Sequence, residues 1–217
     1  MGAIQRPLGV EFPAQEWVDY GDGKRGVALL NVGHPGNVAT ADGTLMLSLM
    51  RAHDLGAYGF GGGYEPGVSS ESGMQLGRQF TLNYALVPHK GGWQDARAYR
   101  DGMEFNNPLV VRKVADHAGK LPARWGLLDV SHPNVMLSAL KPSADGATVL
   151  RVYETAGTDT PEVRVRFNAK LAGVREVNLM EDPIGEVPVA ADDSIQFRLK
   201  PYEIKTFRFG LQPSFPN

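Results

Sequence analysis

Apolar residues recur at every second position through much of the chain, and this period predicts a protein built mainly of β-strands. In Gln79–Pro88, Phe80, Leu82, Tyr84 and Leu86 fall on one face. Such alternation places one row of side chains on a buried face and the next row on the opposite face. We therefore predict a long, half-buried strand in this segment.

The second half of the chain carries the clearest hairpin pattern. Residues 134–154 contain two strand-like runs, "NVMLSALKP" and "TVLRVYE", separated by the turn sequence "SADG". Further along, "EVRVRFN" places Val163, Val165 and Phe167 on one face and two arginines on the other. These segments predict antiparallel strands with one buried face.

One segment has the features of a helix. Good helix formers dominate residues 93–105, and the sequence "NNP" directly afterwards predicts that the helix ends there. Gly102 is expected to weaken it. With short strands and turn signals elsewhere, the fold class predicted is all-β with one short helix near residues 93–105.

Composition narrows the function classes. The chain has 217 residues, 42% of them hydrophobic, a formal net charge of -2 and no cysteine. A near-neutral chain without a Lys/Arg block argues against a nucleic-acid surface, and no apolar run is long enough for a transmembrane helix. The absence of cysteine excludes disulfides and thiolate metal sites. Met1–Gln5 lacks the basic and apolar parts of a signal peptide, and we expect a bacterial-type cytoplasmic protein.

The usual motifs of catalysis are missing. No histidines occur at metal-binding spacing, no GxSxG or phosphate loop is present, and no two carboxylates are tied together by spacing. We interpret the histidines as solvated loop residues and predict no metal site and no catalytic residue in this chain. The histidines are His34, His53, His89, His117 and His132.

The stretch "HDLGAYGFGGGYEPGVSSESG", residues 53–73, is the best candidate for a binding loop. It contains seven glycines together with Tyr58, Phe60 and Tyr64, and Glu65 follows directly. Aromatic rings can stack on the apolar face of a sugar, so these four residues are the predicted substrate-binding residues. The alternative is that the rings pack against their own sheet and fix the loop.

Six segments in order resemble the C-terminal β region of glycoside hydrolase family 38 α-mannosidases. They include "FPAQEWVDYGDGKRGVALLN", "FTLNYALVPHKGGWQDA" and "VMLSALKPSADGATVLRVYETAG". Each motif alone is weak, but their shared order makes the resemblance specific. The segments are residues 12–31, 42–51, 80–96, 104–109, 135–157 and 199–209.

The resemblance implies a fold and an absent catalytic part. It implies an antiparallel, mutarotase-like β supersandwich, incomplete at its start, in residues 9–115, and a C-terminal β-sandwich in residues 121–210. Enzymes of the family are retaining α-mannosidases with their zinc ion and nucleophile in an N-terminal domain. This chain matches none of that domain, so zinc is expected in the absent catalytic domain and the chain alone is expected to be inactive.

The resemblance also implies partners. The expected partners are the catalytic domain of the parent enzyme and a mannose-containing carbohydrate that the 53–73 loop reaches; no nucleic acid or membrane is expected. An incomplete supersandwich leaves unpaired sheet edges, which favour a homodimer. The alternatives are a stand-alone carbohydrate-binding β module and a structural or dimerisation domain.

Overall fold

The computed structural model describes residues 2–50, 56–58, 64–69, 77, 79–119 and 122–213, with the side chains of 56–58, 64–69 and 213 outside the description. It divides into two compact units, one formed by Arg6–Val111 and the other by Met1–Gln5 with Arg112–Asn217. We call these the first unit and the second unit.

The first unit contains eight described strands and two short helices. The elements are β1 Phe12–Pro13, β2 Trp17–Gly21, β3 Arg25–Asn31, β4 Gly36–Ala39, β5 Leu45–Leu47, β6 Gly56–Tyr58, β7 Tyr64–Ser69, β8 Tyr84–Lys90, α1 Trp93–Ala96 and α2 Ala98–Asn106. The strands form antiparallel sheets in the orders β1-β4-β5, β2-β3-β8 and β6-β7.

The second unit is composed of strands alone in its described residues. They are β9 Leu128–Val130, β10 Val135–Pro142, β11 Thr148–Glu154, β12 Thr160–Phe167, β13 Ala169–Val177, β14 Pro183–Glu186, β15 Ser194–Leu199 and β16 Ile204–Pro213. A five-stranded sheet has the order β10-β11-β16-β13-β14, and a three-stranded sheet has the order β15-β12-β9. The predicted all-β fold class is confirmed.

The two sheets of the second unit share one apolar core. Phe167 of the smaller sheet lies 5.1 Å from Phe209 of the larger sheet, and Phe197 lies 4.6 Å from Phe207, measured between ring centroids. Val163 and Val165 are fully buried beside these rings. Arg164 and Arg166, which alternate with the buried residues along β12, are exposed to solvent. The predicted alternation is therefore confirmed, and it produces a sandwich in which each sheet covers the other.

In the first unit, two helices cover one face of the sheet β2-β3-β8. Ala28 and Leu30 of β3 are buried against Ala98 of α2, with Trp17 and Trp93 packed beside them. The ring centroids of the two tryptophans are 5.4 Å apart. This cluster is the apolar core of the first unit.

The helical segment differs from the single helix predicted for residues 93–105. Arg97 adopts a left-handed backbone conformation, with φ of 58°, and separates α1 from α2. Gly102, expected to weaken the helix, lies against Trp17, where an added Cβ would be 2.8 Å from the indole Cδ1. A glycine at this position lets α2 approach the sheet closely.

Glu154 is a fully buried carboxylate at the end of β11. Burial alone would raise its pKa, but the hydrogen bonds it accepts stabilise the charged form and lower the pKa below the ordinary value. The donors are the N–H groups of Ala156 at 2.7 Å, Gly157 at 2.8 Å and Tyr202 at 3.0 Å, Asn134 Nδ2 at 3.0 Å and the Thr158 hydroxyl at 3.2 Å. One carboxylate thus joins three loops of the sandwich.

We expect Glu154→Gln to lower the free energy of unfolding by about 1–3 kcal/mol, because the amide N–H₂ then faces buried N–H donors. Since the pKa of Glu154 is lowered by folding, its contribution is present above the ordinary value of 4.5 and is lost as pH falls through the lower folded-state pKa. The difference in free energy of unfolding between the wild type and the variant should therefore become smaller in acid. Urea unfolding at several pH values measures it.

Glu186→Gln is the matched control, because that carboxylate is 68% exposed and pairs with Arg175 on the surface. It should change stability by less than about 0.5 kcal/mol. Equal effects of the two substitutions, or a difference independent of pH, would show that Glu154 does not hold the loops.

Candidate functional site

An open groove of about 450 Å³ lies in the first unit. Three stretches line it: residues 11–13 at β1, residues 33–36 between β3 and β4, and residues 48–50 after β5. These stretches come together because β1 and β5 pair with opposite sides of β4. A groove of this volume has room for a sugar ring.

A carboxylate and a hydroxyl meet at one side of the groove. The Ser48 hydroxyl donates to Glu11 Oε1 at 2.9 Å, and the Ser48 N–H donates to the Gly36 carbonyl at 2.9 Å. A Cβ on Gly36 would lie 2.6 Å from Glu11 Oε1 and 3.0 Å from Ser48 Cβ. The pair can therefore lie over the strand only because residue 36 has no side chain.

Two buried asparagines fix the backbone around the groove. Asn37 Nδ2 donates to the carbonyls of Phe12 at 2.8 Å and Pro35 at 3.0 Å. Asn31 Nδ2 donates to the Ala14 carbonyl at 3.2 Å, and its Oδ1 accepts from the His34 N–H at 3.3 Å. Both asparagines are buried, so the turn and β1 are held by bonds that water does not reach.

His34 lines the groove at the centre of that turn. Its Nδ1 is buried and has no hydrogen-bond partner among the described residues. His34 lies in a loop, as predicted, but the residue is half-buried and not fully solvated. A buried ring nitrogen without a partner is costly, and rotation of the ring towards the groove would let a ligand hydroxyl satisfy it.

Apolar surface lies next to these polar groups. Phe12 lines the groove with the guanidinium of Arg6 4.6 Å from its ring centroid, and the side chains of Leu49 and Met50 are exposed. A carboxylate, a hydroxyl and an imidazole beside apolar surface suit a ligand with many hydroxyls and an apolar C–H face. Glu11 is the one carboxylate among the described groove residues, so the groove lacks the carboxylate pair of glycoside hydrolysis.

A second histidine is buried on the helix-covered face of the sheet. His89 Nε2 lies 2.6 Å from Asp19 Oδ1, and the two side chains are 8% and 10% exposed. His89 contradicts the prediction of solvated histidines. The ring reaches across β3 because Gly26 lies beneath it, where a Cβ would be 2.7 Å from His89 Cε1.

The four predicted substrate-binding residues lie largely outside the described part of the chain. Tyr58 lies on β6, and Tyr64 and Glu65 lie on β7, with Tyr58 paired to Tyr64 in the two-stranded ladder. Their side chains and the whole of Phe60 are outside the described residues. Their role in binding stays a prediction.

Sequence reasoning missed the residues of the groove. Glu11, His34 and Ser48 are separated along the chain and carry no motif, so only the pairing of β1, β4 and β5 brings them together. One sequence feature could have indicated the groove: the stretch "NVGHPGN", a turn containing glycine and proline with an asparagine near each end. Buried asparagines beside such a turn often hydrogen-bond its backbone.

Neither a metal-binding group nor a membrane-spanning helix is found in the described residues. No group of three or more histidine and acidic side chains there is arranged to hold a metal ion. None of the described helices is long and apolar enough to cross a bilayer.

Part of the second unit is similar to a known family domain. Residues 134–207 match the family model described as the glycosyl hydrolases family 38 C-terminal beta sandwich domain. This match covers the strands β10 to β15 and the first part of β16. Residues 134–207 are therefore similar to the C-terminal β-sandwich domain of family 38.

Curated relatives extend the similarity to nearly the whole chain. Human α-mannosidase 2C1 is 28% identical over 211 residues, which is 94% of this chain and 18% of that protein. The mouse α-mannosidase 2C1 is 27% identical over 95% of this chain, and α-mannosidase G of Dictyostelium discoideum is 25% identical over 92%. The chain thus spans about a fifth of the length of these relatives.

Solved structures share the fold. A family 38 glycosyl hydrolase from Enterococcus faecalis superposes with a TM-score of 0.74 at 21% identity, over 96% of this chain and 24% of that chain. An α-mannosidase from the same species gives a TM-score of 0.69 at 22% identity over 94% of this chain and 22% of that chain. The predicted resemblance to the C-terminal β region of a family 38 α-mannosidase is confirmed.

We expect Gly26→Ala to lower the free energy of unfolding by about 1–3 kcal/mol, because the new methyl group overlaps the buried His89 ring. In a His89→Ala background the same change should cost less, since the ring is gone. Thermal or urea unfolding of the two single variants and the double variant measures this coupling.

Gly185→Ala is the control, because a Cβ there meets no atom within 4 Å. A Gly26→Ala cost equal to that of Gly185→Ala, or one unchanged by removal of His89, would show that the ring does not constrain residue 26.

Proposed function

We propose that this chain is the non-catalytic C-terminal β region of a retaining α-mannosidase that hydrolyses terminal α-mannosides. The observation that carries the proposal is the match of residues 134–207 to the family's β-sandwich domain, extended by relatives that are named α-mannosidases and match almost the whole chain. The role of the chain is to support the catalytic domain.

In this proposal the two units correspond to two family domains. Residues 9–115 are part of the mannosidase β supersandwich, and residues 121–210 are the C-terminal β-sandwich. The zinc ion that the family resemblance implies belongs, in this proposal, to the catalytic domain of the parent enzyme. The groove contributes one carboxylate and one imidazole, a set suited to binding and not to the two-carboxylate chemistry of glycosidases.

We expect the purified 217-residue chain to leave an aryl α-mannoside unhydrolysed, whereas a longer polypeptide that includes the upstream catalytic part should release the aryl group. A chromogenic assay of both proteins, prepared in parallel, measures this. Turnover by the isolated chain that a point substitution within it abolishes would overturn the proposal, because the chemistry would then lie in the β region itself.

Carbohydrate binding by the chain is the second candidate function, and the groove favours it. Glu11, Ser48 and His34 offer hydrogen-bonding groups beside the apolar side chains of Phe12 and Leu49. A mannose ring presents hydroxyls and an apolar C–H face, which match these two kinds of surface.

We expect mannose or mannobiose at millimolar concentration to shift the amide NMR signals of residues 11, 34 and 48. Glu11→Gln or Ser48→Ala should weaken binding about 2–10-fold, the value of one hydrogen bond. Gly36→Ala should also weaken sugar binding, because the new methyl group would displace the Glu11 carboxylate. Ser143→Ala, the same hydroxyl removal in the second unit, is the control.

A Tyr58→Ala variant in the same titration tests the binding residues predicted from sequence. If neither sugar shifts the amide NMR signals of the wild-type chain, carbohydrate binding is excluded. The supporting role would then be the remaining proposed function. Binding that is lost only in Tyr58→Ala would place the sugar at the 53–73 stretch and not in the groove.

A further inference from the structure

An open pocket of about 360 Å³ lies on the outer face of the smaller sheet of the second unit. Two arginines of β12 and two aspartates beside them form most of its lining, and we call it the arginine pocket. The lining residues are Asp129, Val130, Ser131, Arg164, Arg166 and Asp192.

The strand register brings these charged side chains together. Arg164 and Arg166 are two residues apart on β12, so both side chains leave the same face of the sheet, about 7 Å apart along the strand. The strands β9 and β15 pair with opposite sides of β12, and Asp129 of β9 lies directly across from Arg166. Asp192 lies in the turn before β15. Each arginine therefore has a carboxylate beside it.

Arg164 is held more firmly than an ordinary surface arginine. Its Nε donates to Ser194 Oγ at 3.1 Å, and its Nη2 donates to Asp192 Oδ2. Ser194 is 1% exposed, and its hydroxyl donates to Asp192 Oδ1 at 2.7 Å. This last hydrogen bond, together with the charge of Arg164, lowers the pKa of Asp192 below its ordinary value. A buried hydroxyl thus fixes both members of the pair, whereas most exposed ion pairs separate freely.

The two ion pairs leave hydrogen-bonding groups for a ligand. A guanidinium carries five N–H groups. In the described part of the chain, the side chain of Arg164 donates two hydrogen bonds, and that of Arg166 donates one, to Asp129 Oδ2 at 3.0 Å. Arginine donors and aspartate acceptors therefore lie side by side in the pocket.

The charges of the lining favour a neutral ligand. The two arginines and two aspartates that line the pocket sum to zero, so a phosphate would meet two carboxylates and a metal ion would meet two guanidiniums. A hydroxyl group both donates and accepts, and it can satisfy an arginine N–H and an aspartate oxygen at the same time. A sugar ring carries several hydroxyls, and the pocket has room for one ring.

We propose that the arginine pocket binds a neutral sugar ring, with Arg164 and Arg166 donating to its hydroxyls and with Asp129 and Asp192 accepting from them. This site is additional to the groove, whose lining belongs to the first unit. It rests on side chains of the second unit and not on the proposed function.

Titration of the 217-residue chain with the methyl glycosides of mannose, glucose and galactose, followed by amide NMR, tests the proposal. At millimolar concentration, at least one glycoside should shift the signals of residues 129–131, 164–166 and 192, whereas inorganic phosphate should not. Arg166→Gln should weaken binding of that glycoside about tenfold, because it removes a charged donor from the pocket. Asp129→Asn, which removes a charged acceptor, should weaken it as well.

Arg175→Gln is the matched control. Arg175 is 49% exposed and pairs with Glu186 in the other sheet of the same unit, just as Arg166 is 50% exposed and pairs with Asp129. The control should bind within about twofold of the wild type, and all three variants should keep the wild-type melting temperature, since exposed ion pairs contribute little stability.

Three results would overturn the inference: no shift with any glycoside, a stronger shift of the same signals with phosphate, or equal affinities of Arg166→Gln and Arg175→Gln. Each of these results leaves the proposed function intact, because the hydrolysis of an aryl α-mannoside tests that function separately.

Discussion

An apolar sheet face must be covered, and the two units meet this constraint to different extents. In the second unit, two sheets cover each other, with Phe207 and Phe209 buried between them. In the first unit, two helices cover one face of β2-β3-β8, while Tyr84 and Leu86 on β8 remain 54% and 59% exposed. The two sheets of the second unit thus share a buried core, whereas apolar side chains on β8 of the first unit remain exposed.

Buried polar groups then fix the loops that the apolar cores leave open. Glu154 joins three loops of the sandwich, and Asn31 and Asn37 hold the turn and the strand that border the groove. Because such groups are costly to bury without partners, the hydrogen bonds of these three side chains constrain the loops around them. The groove therefore has a defined backbone, over which Glu11 and Ser48 meet.

Strand alternation in the sequence predicted the sandwich faces, because burial on one side of a sheet enforces a period of two residues. It did not predict the break at Arg97, the close approach of Gly102 to Trp17 or the burial of the His89 side chain, since these depend on contacts across the fold. The groove residues carry no linear pattern either. The sequence resemblance located the family domain, while Tyr58 and its neighbours remain a prediction.

A crystal or cryo-electron-microscopy structure of the longer polypeptide would test the proposal that this chain is the β region of a larger α-mannosidase. We expect the remainder of that polypeptide to cover Tyr84 and Leu86 of β8. A structure in which the catalytic domain is folded while these residues remain as exposed as they are in this chain would contradict it.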